Sequence, residues 1–84
     1  MQNVIGEIWL WFQDGQAHAR LRTNVSTERV RLLLGELAAS LEVIRAYGHP
    51  VNGQRPGVYL RFRPEVSLAQ IRGALSIPGE NDDR

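Results

Sequence analysis

The chain contains no cysteine, and all ten of its basic residues are arginine, so it has no lysine either. Without cysteine there is no disulfide, no thiolate zinc site and no thiol nucleophile. A phosphate-binding loop is excluded by the missing lysine and by the lack of its glycine pattern. The longest aromatic-aliphatic run, Ile8 to Phe12, is five residues, against the roughly 20 needed to cross a bilayer as a helix. The opening residues show no basic stretch followed by an apolar one, so a cytoplasmic location is expected. Only two histidines occur, His18 and His49, at no metal-ligand spacing. No Gly-x-Ser-x-Gly elbow is present, and the only neighbouring acids, Asp82 and Asp83, lie near the C-terminal end. The expectation is a non-enzymatic protein with neither metal nor cofactor.

What remains is an 84-residue chain, 43% hydrophobic and 23% charged, which fits one small globular domain and excludes wholesale disorder. Residues 1–78 are expected to form a single α+β domain, with 79–84 a flexible acidic tail. The domain carries nine arginines against Glu7, Asp14, Glu28, Glu36, Glu42 and Glu65. That excess is too small for the electrostatic footprint of a general nucleic-acid binder. An all-arginine set can arise from GC-rich codon usage; it also supplies planar groups suited to stacking and bidentate bonding.

Asp14-Gly15 stands between two alternating runs, 3–13 and 16–22, the pattern of a hairpin closed by a type I′ turn. A two-residue loop sets Phe12 opposite Ala17, Trp11 opposite His18, Leu10 opposite Ala19, Trp9 opposite Arg20, Ile8 opposite Leu21 and Glu7 opposite Arg22. Because side chains alternate along a strand, Ile8, Leu10, Phe12, Ala17, Ala19 and Leu21 share one face. Glu7, Trp9, Trp11, His18, Arg20 and Arg22 share the other.

Ser26 reads as a helix N-cap, with Glu28 in the first turn and Val25 and Val30 as a hydrophobic staple. Asn24-Val25-Ser26 matches a glycosylation sequon but reads as part of this cap. Val30, Leu33, Leu34, Leu37, Leu41 and Ile44 recur at helical spacing, so one long helix is expected to run to the Gly48/Pro50 breaker. It would carry a second stripe, Leu32, Ala39, Val43 and Tyr47, packed on another helix or on another chain. Residues 57–63 alternate as a third strand, with Tyr59, Arg61 and Arg63 outward, and Pro64 closes it. Ser67 and Gln70 form a capping box flanked by Val66 and Ile71, opening a short helix to about Ser76. The expected architecture is a β-β-α-β-α two-layer sandwich. Its three-stranded, mainly antiparallel sheet has order 2-1-3, with the third strand parallel to the second and both helices on one face. The tryptophans would then lie on the central strand.

The outward sheet face therefore gathers Trp9, Trp11, His18, Arg20, Arg22, Tyr59, Arg61 and Arg63. Four readings compete for it, a small-molecule or catalytic role being the least supported by the residues. Arginine stems can cover the indoles, with Arg20 over Trp9, so that the patch satisfies itself. Tryptophan, tyrosine and arginine are also the residues that anchor protein interfaces, which points to an adaptor, inhibitor or homodimer-forming module. Alternatively, the same rings can stack unpaired bases of single-stranded RNA or DNA. The interaction module is the favoured expectation, with no membrane partner.

Overall fold

The first hairpin turns at Asp14 (φ 56°) and Gly15 (φ 78°), both in the left-handed region that a type I′ turn requires. It joins β1 (Ile5–Gln13) to β2 (Gln16–Thr23) in an antiparallel ladder with Trp9 facing Arg20, Trp11 facing His18 and Glu7 facing Arg22, the expected register. The register slips between Ile5 and Glu7, so β1 starts on a bulge. These coordinates, a computed structural model, describe residues 5–23, 25–48, 53 and 56–75. Expectations for Asn24, His49, the end of the last helix at Ser76 and the tail 79–84 lie outside the described residues.

The expected long helix is replaced by three elements. α1 (Thr27–Leu34) starts on Ser26, whose Oγ accepts from the Arg29 N–H at 3.1 Å. It ends at Gly35, whose backbone at φ 63° is open to glycine and costly for other residues. A 3-10 helix (Gly35–Ser40) follows, and then β3 (Leu41–Tyr47). Leu41-Glu-Val-Ile-Arg-Ala-Tyr47 is compatible with helical spacing, but its β-branched pair Val43-Ile44 and its tyrosine also suit a strand. A strand at β4 (Gly57–Phe62) decides the outcome by offering an antiparallel partner from Leu41↔Phe62 to Tyr47↔Gly57. The stripe Leu32, Ala39, Val43 and Tyr47 is accordingly dispersed. Leu32 is 74% exposed on α1, Ala39 sits in the 3-10 helix, and Val43 and Tyr47 belong to β3.

The sheet therefore has four strands in the order β1-β2-β4-β3, antiparallel throughout. This corrects the expected three-stranded 2-1-3 arrangement in three respects. The strand at 57–62 pairs with β2 and not β1, it runs antiparallel to β2, and β1 lies at an edge. The tryptophans are edge residues.

α2 (Leu68–Leu75) opens on the expected capping box: the Gln70 N–H donates to Ser67 Oγ (3.1 Å) and the Ser67 N–H to Gln70 Oε1 (2.9 Å). Both helices cover one sheet face. Ala17, Ala19, Leu21, Val58, Leu60 and Phe62 from β2 and β4 meet Val30, Leu34, Ile71 and Leu75 from the helices, all buried. Leu10, Leu41 and Ile44 flank this core from the outer strands. Ile8 and Phe12, on the same face of β1, are only partly covered although α2 approaches this strand; they are 36% and 53% exposed. Among the described residues no helix is long and apolar enough to cross a membrane.

Candidate interaction groove

The open face of the sheet can be read row by row from the register. Trp11, His18, Arg61 and Val43 form one row; Trp9, Arg20, Tyr59 and Arg45 the next; Glu7, Arg22, Gly57 and Tyr47 the third. All of the expected outward residues on the strands share this face. Arg63 does not continue it, because β4 ends at Phe62. Its N–H instead donates to the Ser40 carbonyl, and its guanidinium lies 3.4 Å from Glu65.

The rings of the first row satisfy one another, whereas the buried Arg61 Nε of the same row makes no hydrogen bond among the described residues. Trp11 stacks on His18 at a centroid distance of 5.2 Å and an interplanar angle of 10°, and both rings meet Tyr59 at a tilt. His18 Nδ1 lies 2.8 Å from the Tyr59 hydroxyl and Nε2 lies 3.3 Å from the Gln13 carbonyl. A neutral ring with its proton on Nε2 satisfies both, donating to Gln13 and accepting from Tyr59. His18 is only 7% exposed. It was expected as a surface strand histidine; the flanking rings bury it, and the three rings of Trp11, His18 and Tyr59 contact one another in a cluster. Trp11 Nε1 donates to Gln13 Oε1 at 3.1 Å. Arg61 Nε sits 3.4 Å from Glu42 Oε1 in ion-pair range, and the same carboxylate accepts from Gln16 Nε2 at 2.7 Å.

Trp9, Arg20, Arg22 and Tyr47 of the second and third rows line a groove of about 640 Å³ together with Trp11 of the first row and Pro56. Each guanidinium lies over a ring. Arg22 covers Trp9 at 5.4 Å and pairs with Glu7 at 3.4 Å; Arg20 covers Tyr47 at 5.1 Å, with Nε donating to the tyrosine hydroxyl at 3.4 Å. The expected partner of Trp9 was Arg20, directly across the ladder. The diagonal Arg22 takes that place because Tyr47 attracts Arg20 to the other side. Trp9 keeps 43% of its surface exposed. The result is an aromatic floor with two arginines that still present donors to solvent.

Tyr47 is the groove residue that sequence reasoning misplaced, by assigning it to a helix. The ring reaches the groove by crossing Gly57, where a Cβ would come within 2.5 Å of its Cζ and Oη atoms. Two signals could have found it: Gly35 as a helix end, and the β-branched pair before it. Among the described residues, no three histidine, aspartate or glutamate side chains gather where they could hold a metal ion. Compared with protein-family models, curated proteins and solved structures, the chain shows no match. The fold and site define a small α+β domain with an aromatic-arginine groove on its open sheet face, and its role must be argued from that geometry.

Proposed function

We propose that this chain is a non-enzymatic protein-interaction module of the adaptor or inhibitor type that binds a partner through the groove. The observation that carries this reading is the lining itself: Trp9, Trp11, Tyr47 and Pro56 supply an apolar floor, with Arg20 and Arg22 beside it. Rings and guanidinium groups of this kind are the residues that concentrate binding energy at protein interfaces. The chemistry suits an apolar side chain flanked by carboxylates in the partner. The guanidinium groups of Arg20 and Arg22, each lying over a ring and already engaged by Tyr47 or Glu7, have remaining N–H groups that can donate to such carboxylates.

Single-stranded nucleic acid is the weaker reading on this geometry. Base stacking needs free ring faces, and Trp11 already stacks on His18 while Trp9 lies under Arg22. Four arginines on the face, at 20, 22, 45 and 61, are also opposed by Glu7 and Glu42.

The test uses a library of immobilised peptides with an aliphatic or aromatic residue between acids, alongside a labelled single-stranded oligonucleotide. Peptide binding that falls about tenfold or more in Trp9→Ala and in Arg20→Ala, with the far-UV spectrum intact, is the expected result. Oligonucleotide binding that collapses between low and moderate salt, with no peptide bound, would overturn it in favour of nucleic acid.

A further inference from the structure

β1 is an edge strand, and the hairpin determines which of its backbone groups are free. The Asp14-Gly15 turn sets the Gln13 carbonyl against the Gln16 N–H, so Gln13↔Gln16 is a hydrogen-bonded pair. Alternation then makes Trp11↔His18 and Trp9↔Arg20 bonded pairs as well. The N–H and C=O groups of Ile8, Leu10 and Phe12 must therefore point away from β2, out of the sheet. The far side of β2 agrees with this phase. Thr23 N–H donates to the Pro56 carbonyl at 3.2 Å, and the Leu21 carbonyl is directed at Gly57, both on the β4 side.

The side chains along this edge are uncharged from Ile8 to Gln13. Ile8, Trp9 and Phe12 are 36%, 43% and 53% exposed, so both faces of the edge present apolar surface. Edge strands that must stay single carry charges, proline or a covering element over their middle. Here Glu7 and Asp14 flank the run without interrupting it, and the bulge lies before Glu7.

We propose that β1 pairs antiparallel with β1 of a second copy about a two-fold axis through Leu10, joining two four-stranded sheets into one of eight strands. This goes beyond the groove reading and does not depend on it. With Leu10 opposite Leu10, Ile8 falls opposite Phe12, and all three positions carry outward backbone groups, so each bond closes. Trp9 falls opposite Trp11 on the groove side, so the two grooves meet across the axis. Glu7 falls opposite Gln13, and no like charges are opposed. Sliding by two residues keeps the hydrogen-bond phase but sets Phe12 against Gly6, or Ile8 against Asp14. The five-residue apolar run is thus complementary to itself in one register, which favours a second copy over a strand of another protein. The exposed parts of Ile8, Trp9 and Phe12 amount to about 300 Å² per copy. Two copies bring about 600 Å² of such side-chain surface to the seam, and with the adjoining backbone the contact belongs to the small class, under about 1,200 Å², of reversible, concentration-dependent association.

Sedimentation velocity on the full chain, from about 1 μM to about 1 mM, reads the proposal. The expected result is a monomer–dimer transition within that range for the wild type. Phe12→Pro removes an outward N–H together with the phenyl ring that faces Ile8 of the second copy, leaves the β1–β2 hydrogen bonds in place, and should remain monomeric throughout, with an unchanged far-UV spectrum. Should that variant fail to fold, the charge variants decide. Ile8→Lys with Phe12→Lys should abolish the dimer, whereas Ile8→Lys with Phe12→Glu should restore it through two ion pairs that added salt weakens. A wild type that stays monomeric to about 1 mM overturns the proposal, as does a dimer indifferent to these exchanges. Arg20→Ala separates the two readings: it should impair peptide binding at the groove and leave the dimer intact.

Discussion

Gly57→Ala is the substitution whose cost the structure defines most closely. Gly57 pairs with Tyr47 on one side and Arg22 on the other, at the centre of the third row of the open face. A Cβ there would lie 2.5 Å from Tyr47 Cζ and Oη and 2.7 Å from the Leu21 carbonyl oxygen. The tyrosine can swing away, giving up its contact with Arg20, worth about 0.5–1 kcal/mol. The Leu21 oxygen cannot, because it belongs to the backbone of β2 and moving it opens the β2–β4 ladder. Overpacking of this kind costs about 1–3 kcal/mol. A total of about 1.5–4 kcal/mol in a domain of this size lowers the melting temperature by about 6–30 °C. The assay is thermal unfolding followed by far-UV dichroism, for wild type, Gly57→Ala, Tyr47→Ala and the double variant. If the clash with the ring contributes alongside the backbone clash, the double variant is less destabilised than the two singles predict by addition. A Gly57→Ala protein melting within about 2 °C of wild type would refute the reasoning, since no close approach could then exist.

Two further outcomes follow from individual contacts. Ser67→Ala removes one arm of the capping box at the start of α2 and should cost about 1 kcal/mol, read from urea unfolding; no change would mean that α2 is held by its packing alone. Glu7→Gln breaks an ion pair whose side chains are 39% and 53% exposed, and should change stability by no more than about 0.5 kcal/mol in the same assay. A larger loss would mean that Glu7, and not the indole, holds Arg22 in place.

The hairpin was legible because turn chemistry and alternation agree there. Asp14-Gly15 admits one loop length, and the loop length determines every pair from Phe12↔Ala17 to Glu7↔Arg22. The Ser26 N-cap and the Ser67/Gln70 capping box were legible for a similar reason, since each acts within its own turn. The second half of the long helix was not. Leu37, Leu41 and Ile44 fit helical spacing, whereas Leu41, Val43, Ile44 and Tyr47 also suit a strand once one residue is displaced at a bulge. The register slips between Leu41 and Val43, and that slip hides the period of two. Which pattern prevails depends on a partner sixteen or so residues further along the chain, a tertiary effect that local periodicity does not contain. The sheet order failed with it. Three strands leave β1 the natural centre, but a fourth on the far side of β4 moves the centre to β2 and β4.

The change of order also alters what the exposed apolar residues mean. On a central strand, Trp9 and Trp11 would have neighbours on both sides, and the face alone would need a partner. At an edge, the strand also exposes its backbone and its helix-side residues Ile8 and Phe12. Two eight-residue helices, each about 12 Å long, cannot spread over a sheet about 14 Å wide between its outer strand axes and cover both margins fully. α2 makes its close approach to β1 and α1 to β3, and their buried side chains reach the fully buried residues of β2 and β4. β1 is the longest strand, at nine residues; α2 approaches it on the helix side, but its outer edge has no strand partner among the described residues and Phe12 stays 53% exposed. Nothing within the described residues offsets the cost of hydrating this strip, whereas pairing with its own symmetry mate would satisfy the backbone and cover the side chains together. For so small a core, edge pairing would therefore contribute to stability as well as to recognition, and unfolding midpoints should rise with protein concentration in the wild type but not in Phe12→Pro.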